Sequence, residues 1–371
     1  MKGCDRSWAE ISLTALQHNV QFIRKQIGKD RKIIAVVKAD AYGHGAVEVA
    51  RCLVDNGVEM LGVANVREGL ELREAGLSAS ILLLGAALPE EMEEGIKAGL
   101  IFTLSSFEEW ETLEHKAERV GIKARAHVKF DTGMGRLGFF ADRTTAVRER
   151  ILRSSRWLVV EAYYSHLACA DEEDEKMTLI QEERFRGILR ELPQRPWHLA
   201  NSAGLMRFPS LYGDAVRPGL MVYGVSPLIQ NQEKLRPVLT WKSRVSLVRH
   251  MRAGMTISYG ATYRLKEDAW VGVVSVGYAD GYPRKLSNNG EILVKGRRCP
   301  ILGRVTMDAV MVDLSSIYMR GESIQTGEEV TLVGKCGSEE ISVRELAERT
   351  GVIPWEVLTG ISKRVRRYIV A

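Results

Sequence analysis

Up to about Pro237, short apolar runs alternate with longer amphipathic segments, which predicts buried strands alternating with helices. The predicted strands are Ile33–Val37, Leu61–Ala64, Ile81–Leu84, Ile101–Leu104, Ala126–Phe130, Val159–Tyr164, His198–Leu199 and Ala215–Val216. The helix-like segments include Val66–Ala75, Glu90–Ala98, Ser106–Val120 and Lys176–Leu192. Eight strands alternating with helices over roughly 230 residues are typical of a closed (β/α)8 TIM-like barrel. A doubly wound open sheet is the alternative, but no G-x-G-x-x-G follows the first strand, which disfavours a dinucleotide fold.

After Pro237 the pattern changes, because strand-like segments follow one another without long helices between them. These segments are Trp241–Val248, Trp270–Val276, Glu291–Val294, Ala309–Leu314 and Glu329–Val333. Turn signals such as Asp280-Gly281 separate them, and one clear helix is predicted at Val343–Arg349. We therefore predict a barrel over residues 1–237 and a mostly-β domain over residues 238–371, with residues 1–10 as a candidate strand of the second domain.

Composition supports a soluble globular protein rather than a nucleic-acid reader. The 371 residues exceed what one compact core usually holds, and 45% are hydrophobic and 27% charged. The net charge of +5 is spread thinly, with its densest cluster at residues 363–367. No face interleaves basic and aromatic residues, so we expect no nucleic-acid partner.

The cysteines argue for a reducing compartment. There are five, an odd and dispersed set without a C-x-x-C pair, namely Cys4, Cys52, Cys169, Cys299 and Cys336. This pattern disfavours a disulfide framework and a zinc site. No apolar signal core and no apolar run of membrane-spanning length is found. We expect a cytoplasmic protein with no metal and no membrane partner.

The most informative segment for chemistry is Val36–Gly45, V-V-K-A-D-A-Y-G-H-G, in which Lys38 follows the first buried strand. Taken alone, Lys38 is better explained as a strand-edge lysine that extends its ammonium into water. A lysine at a strand's carboxyl end can instead lose its proton and form a Schiff base with an aldehyde cofactor. The rest of the chain favours this second interpretation.

Polar groups follow the other predicted barrel strands at the same end. They are Asp131 to Arg136, Ser165-His166, Asn201-Ser202 and Arg217-Pro218-Gly219. Because the carboxyl ends of barrel strands form one rim, these groups should converge with Lys38 into a site.

The loops after strands seven and eight often bind phosphate in such barrels. Ser202 and the backbone amides near Gly219 and Leu220 are the candidate donors, with the phenol of Tyr42 as another. A lysine opposite a phosphate site indicates pyridoxal 5′-phosphate. A sugar-phosphate aldolase would share both features, so these residues alone do not decide the cofactor.

Several motifs together resemble one enzyme family. They are V-V-K-A-D-A-Y-G-H-G, K-F-D-T-G-M-G-R-L-G, S-H-L-A, N-S-A-G, R-P-G-L, S-Y-G-A-T-Y, G-Y-A-D-G and G-R-V-T-M-D. In this order, over nearly the whole chain, they closely resemble the alanine racemases. The resemblance implies a fold-type III pyridoxal-phosphate enzyme with an amino-terminal barrel and a carboxyl-terminal β domain.

The resemblance also implies two bases on opposite faces of a planar carbanion: Lys38, which carries the cofactor, and Tyr259. Because a free phenol has a pKa near 10, Tyr259 needs help, and His166 and Arg217 are the candidate relay. Arg217 is implied to face the pyridine nitrogen and, since arginine keeps its proton, to leave that nitrogen unprotonated. We expect this to suppress transamination and decarboxylation.

Further roles follow from the same resemblance. His166 would lie against the pyridine ring, Asn201 at its edge or near the phosphate, and Arg136 near the substrate carboxylate. Lys129 matches a lysine that is carbamylated in some members and orients that arginine; an ion pair of Lys129 with Asp131 is the equally weighted alternative.

The β domain is implied to complete the site of a second copy. Its candidate substrate-site residues are Met307, Asp308 and Tyr278, together with Tyr263 at the mouth of the site and Trp355. We therefore expect a homodimer with shared active sites, whose partner is a small amino-acid substrate.

Two positions depart from the family pattern. Trp355 stands where a tyrosine is usual, so a hydroxyl is replaced by a bulkier group that can only donate. Thr306 replaces a common cysteine, with little expected consequence. The predicted function is alanine racemisation that supplies D-alanine for peptidoglycan. The alternatives are a serine or broad-specificity racemase and, less favoured because of Arg217, a basic amino-acid decarboxylase. A small pyridoxal-phosphate carrier lacks a β domain.

Overall fold

The computed structural model of the protein describes residues 5–228 and 231–371. Cys4, with the rest of residues 1–4 of the predicted first domain, lies outside the described residues, and so do residues 229–230. The chain divides into two compact units. Residues 15–41 and 46–236 form the barrel unit; residues up to 14, residues 42–45 and residues 237–371 form the β unit.

The first strand, β1 (Ser7–Ser12), belongs to the β unit. The next eight strands are parallel and close into a barrel in chain order. They are β2 (Lys32–Val36), β3 (Met60–Val63), β4 (Ser80–Leu83), β5 (Ile101–Leu104), β6 (Ala124–Lys129), β7 (Leu158–Tyr164), β8 (Trp197–Asn201) and β9 (Ala215–Arg217). The helices of this part are α1 (Leu13–Ile27), α2 (Lys38–Gly43), α3 (Ala46–Asp55), α4 (Val66–Glu74), α5 (Met92–Lys97), α6 (Phe107–Val120), α7 (Thr144–Leu152), α8 (Lys176–Glu191) and α9 (Ser202–Arg207).

The predicted barrel fold is confirmed, and each of its strands lies within two residues of its predicted bounds at the amino end. The reason is visible in the packing, because each apolar run is buried against its neighbours. The helices begin and end where sequence rules place them. In α6, Ser106 caps the start by accepting the N–H of Glu109 (3.1 Å), and Gly121 ends it with φ 70°.

The strands of the β unit after the barrel are β10 (Leu239–Met251), β11 (Thr256–Ile257), β12 (Tyr263–Arg264), β13 (Ala269–Val274), β14 (Glu291–Val294), β15 (Arg297–Pro300), β16 (Val310–Asp313), β17 (Glu329–Cys336), β18 (Glu339–Ile341) and β19 (Arg366–Val370). Among the described residues, these strands other than β11 and β12 form, with β1, a nine-stranded sheet whose main path runs β15-β14-β17-β10-β1-β19. The helices of this unit are α10 (Ser315–Tyr318), α11 (Val343–Thr350) and α12 (Pro354–Gly360). The predicted mostly-β architecture after the barrel is confirmed.

Strand β1 lies inside this sheet, antiparallel to β10 and parallel to β19. The indole of Trp8, in this strand, and that of Trp241, in β10, are completely buried. The indole N–H of Trp241 donates to the hydroxyl of Ser7 (2.8 Å), and its ring packs edge-on against Tyr282 at 5.7 Å. Aromatic packing around β1 therefore joins this early segment to the centre of the β unit.

Candidate active site

The amine of Lys38 has an environment that favours its neutral form. Lys38 begins α2 just beyond the carboxyl end of β2 and is half-buried. Burial lowers the pKa of its ammonium and the guanidinium of Arg136 lowers it further, while the carboxylate of Glu68 raises it. Since the neutral amine is the nucleophile, Lys38 is suited to add to an aldehyde.

The backbone after Lys38 is left-handed, with φ between 52° and 54° at each of residues 39–42. Each such L-residue costs about 1–2 kcal/mol. Strain of this kind concentrates at functional sites. Within the barrel unit, the carboxylate of Asp40 accepts the N–H of Ala46 at 2.7 Å. The sequence does not indicate this handedness, because residues 39–42 include no glycine.

Arg217, the last residue of β9, is buried and held from several sides. Its Nη1 donates to the carbonyl oxygen of His198 (3.0 Å) and lies 2.6 Å from Nδ1 of the same residue. Its Nη2 donates to the carbonyl oxygens of Ser165 (2.6 Å) and Leu199 (2.9 Å) and lies 3.3 Å from Nδ1 of His166. Burial lowers the pKa of the guanidinium to about 10, which leaves it charged at neutral pH.

A chain of two buried histidines supports Arg217. Because a guanidinium only donates, Nδ1 of His198 accepts and its Nε2 carries the proton. That nitrogen lies 3.0 Å from Nδ1 of His127, whose own Nε2 lies 4.0 Å from the carboxylate of Glu161. Burial lowers the pKa of His127 to about 3 and that of His198 well below its usual 6.5, so both rings are neutral. A directed chain of hydrogen bonds therefore orients Arg217.

His166 shares the charged environment of this rim. Burial, and then the positive charges of Arg217, Lys129, Arg136 and Lys38, lower its pKa well below the usual 6.5. The ring is therefore neutral, and its Nδ1 accepts from Arg217. The structure thus brings these five residues, all predicted from the sequence, into one electrostatic environment within the barrel unit.

Lys129, the last residue of β6, is buried, and burial together with Arg136 and Arg217 lowers the pKa of its amine to about 8. The nearby carboxylate of Asp131 instead accepts the backbone N–H groups of the loop 133–136, at 2.8–2.9 Å for three of them. Among the described residues Lys129 makes no ion pair, so the alternative of a pair with Asp131 is not formed.

The residues predicted to bind phosphate lie together after β8 and β9. The side chain of Asn201 caps α9 by accepting the N–H of that helix's third residue (2.9 Å). The hydroxyl oxygen of Ser202 accepts hydrogen bonds from the N–H groups of Gly219 (2.9 Å) and Met221 (3.4 Å). The residue between these two, Leu220, is buried. Ser202 therefore engages the amide of Gly219 and keeps its own proton for donation.

In the β unit, Tyr42 is buried and receives a hydrogen bond from the indole of Trp355. Burial raises the pKa of the phenol to about 12, and the hydrogen bond opposes that rise. The next residue, Gly43, has no room for a Cβ, which would lie 2.5 Å from the carbonyl oxygen of Leu358. Arg367 donates to the carbonyl oxygen of Gly43 at 2.8 Å. The departure at Trp355 therefore supplies Tyr42 with a donor.

Three predicted site residues of the β unit are exposed. The exposed fraction is 72% for Tyr259, 43% for Tyr278 and 52% for Met307. The hydroxyl of Ser258, just before Tyr259, donates to the carbonyl oxygen of Arg304 at 2.6 Å. The loop that presents Tyr259 is thereby anchored, although the phenol itself is open to solvent.

Neighbouring loops of the β unit are joined by backbone bonds. The N–H of Tyr278 donates to the carbonyl oxygen of Thr306 (3.0 Å). The hydroxyl of Thr306 in turn donates to the carbonyl oxygen of Ala309 (2.7 Å). Asp308 forms an ion pair with Arg364 at 2.8 Å, so its carboxylate has a partner within the unit. Tyr263 lies on the short strand β12 and is paired with Ile257 of β11.

Comparison with known proteins identifies the family. Residues 11–227 match the family described as "Alanine racemase, N-terminal domain", and residues 238–369 match "Alanine racemase, C-terminal domain". The chain belongs to the alanine racemase family. The resemblance stated from the motifs is thereby confirmed.

Individual relatives agree over full length. An alanine racemase of Symbiobacterium thermophilum is 42% identical, covering 99% of this chain and 98% of the relative. The crystal structure of the Bacillus anthracis alanine racemase with bound L-Ala-P is 35% identical with a TM-score of 0.91, covering 99% and 95% of the two chains. That of the Bartonella henselae alanine racemase with covalently bound pyridoxal phosphate is 28% identical with a TM-score of 0.90, covering 99% and 100%.

Within residues 5–228 and 231–371, no group of three or more histidine, cysteine or acidic side chains is arranged to hold a metal ion. None of the helices in that part of the chain is both long and apolar enough to cross a membrane.

Sequence analysis missed His127, His198 and Glu68. A signal was present for His127, because Arg125, His127 and Lys129 alternate along β6 and so share one side of a largely buried strand. Each histidine considered singly carries little information. Glu68 gave no signal beyond its place at the start of a helix.

Proposed function

We propose that this chain is a pyridoxal-phosphate-dependent racemase that interconverts L- and D-alanine, with Lys38 and Tyr259 as its two bases. The observation that carries the proposal is the Lys38 amine. It lies just beyond the end of the first barrel strand, and burial and Arg136 lower its pKa. The names of the relatives, and the bound L-Ala-P and pyridoxal phosphate in two of them, support it.

The donor set of the barrel unit fits pyridoxal 5′-phosphate. The amine of Lys38 would bind its aldehyde, and the guanidinium of Arg217 would donate to its ring nitrogen. The hydroxyl of Ser202, with Asn201 and the 219–220 backbone, would serve the phosphate side. The phosphate role of Tyr42, a residue of the β unit, stays a prediction from the sequence. The bound cofactor would supply an electron sink that makes the α-proton of the amino acid removable.

Proton transfer is assigned to two side chains. Nζ of Lys38 would remove or return the proton on one face of the α-carbon, and Oη of Tyr259 would do so on the other. The neutral ring of His166, hydrogen-bonded to Arg217, would act with it as a hydrogen-bonded relay that helps the phenol of Tyr259 to lose its proton. Because Tyr259 is 72% exposed in the described chain, its phenol is open to contact with a second copy of the chain. We therefore propose a homodimer in which Tyr259, Tyr278, Met307 and Asp308 serve the partner's barrel.

Arg217 supports racemisation over decarboxylation. A buried guanidinium with a pKa of about 10 keeps its charge at neutral pH and offers no proton to a ring nitrogen. An unprotonated ring nitrogen withdraws electrons weakly, which favours rapid return of the proton. Substituting Arg217 with glutamate should increase abortive transamination relative to racemisation.

Arg136 and Lys129 are proposed to act together on the substrate carboxylate. The neutral amine of Lys129, with its pKa near 8, can add to CO2 to give a carbamate and release a proton. The resulting anion would pair with Arg136 and orient its planar fork toward a carboxylate. This would replace the ion pair with Asp131 that the described residues lack.

Serine is the competing substrate. Trp355 supplies an indole donor to Tyr42, in place of the phenol that the family pattern has at this position. The hydroxyl that would border the substrate side chain is thus absent, which alters a contact with the β-carbon of either amino acid.

We place the enzyme in the cytoplasm and propose that its product serves peptidoglycan synthesis. The buried thiols of Cys52 and Cys299 are free, as a reducing compartment allows. The expected partners are an amino acid and a second copy of the chain.

The deciding experiment is chiral chromatography after incubation of purified protein and pyridoxal phosphate with L-alanine, L-serine, L-lysine or L-ornithine. D-alanine formed with the highest kcat/KM supports the proposal. Preferential D-serine formation selects the serine racemase, and amine with CO2 from a basic amino acid selects the decarboxylase. A visible absorption band removed by borohydride, and absent from Lys38→Ala, tests the site of attachment.

A further inference from the structure

Glu68 lies at the third position of α4 and uses its carboxylate unusually. Asn65 caps this helix and accepts the N–H of Glu68 at 3.0 Å. In a capping box the acidic side chain returns to the N–H of the cap residue. Here one oxygen, Oε2, accepts the N–H of Ala64 (2.7 Å), and the other, Oε1, accepts the N–H of Ala39 (2.8 Å). The carboxylate therefore joins the loop after β3 to the residue that follows Lys38.

The amide of Ala39 is a significant position to hold. It is the first amide after Lys38 and the first residue of the left-handed turn at residues 39–42. The first N–H groups of a helical turn have no partner within the turn. Ala39 is exposed, so without Glu68 its amide would face water and the turn would lose an anchor.

We propose that Glu68 is a positioning residue that aims the side chain of Lys38 by anchoring the left-handed turn behind it. The inference rests on the proposed role of Lys38 for its effect on catalysis, but the anchoring itself does not. Both carboxylate oxygens are used, so a carboxamide, with a single acceptor oxygen, satisfies only one of the two amides.

The charge of Glu68 has a second effect at the same amine. Besides burial, the cation Arg136 lowers the pKa of Lys38, and the carboxylate of Glu68 opposes that effect. Removing the carboxylate should therefore lower the pKa of Lys38 further, an effect that loosened packing alone would not produce.

The chain offers a matched control in α6. Its cap residue Ser106 accepts the N–H of Glu109 (3.1 Å), and Oε2 of Glu109 accepts the N–H of Ser105 (2.7 Å). Glu109 thus repeats the local bond of Glu68 to the preceding loop, on a different strand end. Its hydrogen bonds do not include Ala39.

The first measurement is amide hydrogen exchange by mass spectrometry on the cofactor-free wild type, E68Q, E68A and E109A proteins, with fragmentation that resolves single amides. We expect the Ala39 amide to be protected in the wild type and to exchange on the order of tenfold faster in E68A, which has no acceptor at this position. E109A should exchange like the wild type at residues 38–43. An unprotected Ala39 amide in the wild type overturns the proposal without any variant, and so does unchanged exchange in E68A.

The second measurement is the pH dependence of Lys38 modification by a small aldehyde with borohydride, read by peptide mapping. The midpoint should move to lower pH in E68Q and stay in place in E109Q. An unmoved midpoint in E68Q, or equal shifts in both variants, contradicts the assignment.

Steady-state racemisation then separates this inference from the proposed function. E68Q should lower kcat about tenfold with KM little changed, and E109Q should behave like the wild type. If the wild type does not racemise any amino acid, the proposed function fails while the exchange result still decides the anchor. If E68Q keeps full kcat although its turn exchanges faster, the anchor does not aim Lys38.

Discussion

The two units present their candidate chemistry in opposite ways. In the barrel unit, Arg217 and His198 are almost fully buried and hydrogen-bonded to each other. In the β unit, Tyr259 and Met307 are more than half exposed. The buried groups are preorganised by the fold of one chain, whereas the exposed ones need a further surface to define their positions. Under the proposed function, the barrel unit would carry the preorganised part of the site, and the β unit would supply groups to the site of a second copy.

The largest expected effect is the loss of kcat when either proposed base is removed, and its partial recovery when the two variants are mixed. Tyr259→Phe and Lys38→Ala should each lower kcat by about 10²–10⁴-fold or more, because each removes a proton-transfer group. Mixing the two inactive proteins under conditions of subunit exchange should restore activity, to about a quarter of wild type, since one site in each mixed dimer is intact. Activity that stays absent after confirmed exchange would contradict sites shared between copies.

The next largest expected effect is a dependence of stability on pH that arises from the buried amine of Lys129. The pKa of this amine is about 8 in the folded chain and ordinarily 10.5, so the unfolded chain binds more protons between these pH values. Stability therefore rises with pH from about 8 to 10.5, by about 3 kcal/mol from this group. In CO2-free buffer, urea unfolding of Lys129→Met should lack this rise. Parallel pH curves for both proteins would contradict the lowered pKa.

A smaller effect, a loss of stability, is expected when the hydrogen bond between Arg217 and the ring of His198 is removed. His198→Leu leaves Nη1 of Arg217 without its ring acceptor, which should reduce the free energy of unfolding by about 1–3 kcal/mol. Urea unfolding followed by circular dichroism provides the measurement. His250→Leu, outside the barrel unit, is the matched control, and an equal loss there would show that the effect is not specific to Arg217.

The smallest effect should appear at Trp355 in the β unit. Trp355→Phe removes the indole donor to Tyr42 and should cost about 1 kcal/mol. We expect a change of a few-fold in the ratio of kcat/KM for alanine and serine, measured by chiral chromatography. An unchanged ratio would remove Trp355 from substrate selection, while leaving its hydrogen bond to Tyr42 in place.

The contrast between the units also explains what sequence could predict. Short apolar runs bounded by turns identified all eight barrel strands, because burial on both faces leaves a continuous signal. Lys38, His166 and Arg217 were predicted as site residues because they follow those strands. The left-handed turn was not, since its residues are two alanines, an aspartate and a tyrosine, and none of them is the glycine that such φ values favour.

Hydrogen-bond partners were likewise beyond prediction. That Ser202 accepts from the amide of Gly219 depends on how two loops meet, and sequence gives only their proximity on one rim. The link from His127 to His198 requires two strands that are not consecutive in the chain to face one another. The indole of Trp355 was expected to be donor-only, but its acceptor, Tyr42, could not be named.

The placement of β1 has a consequence for how the protein is made. Ser7 and its hydrogen-bond partner Lys242 are 235 residues apart along the chain, and β19 comes later still. On the ribosome, the apolar surface of Trp8 stays without its native neighbours until both late strands have been synthesised. The nascent barrel segment is complete well before then, so a chaperone that shields β1 during synthesis should raise the yield of native protein more than one that acts on the released chain.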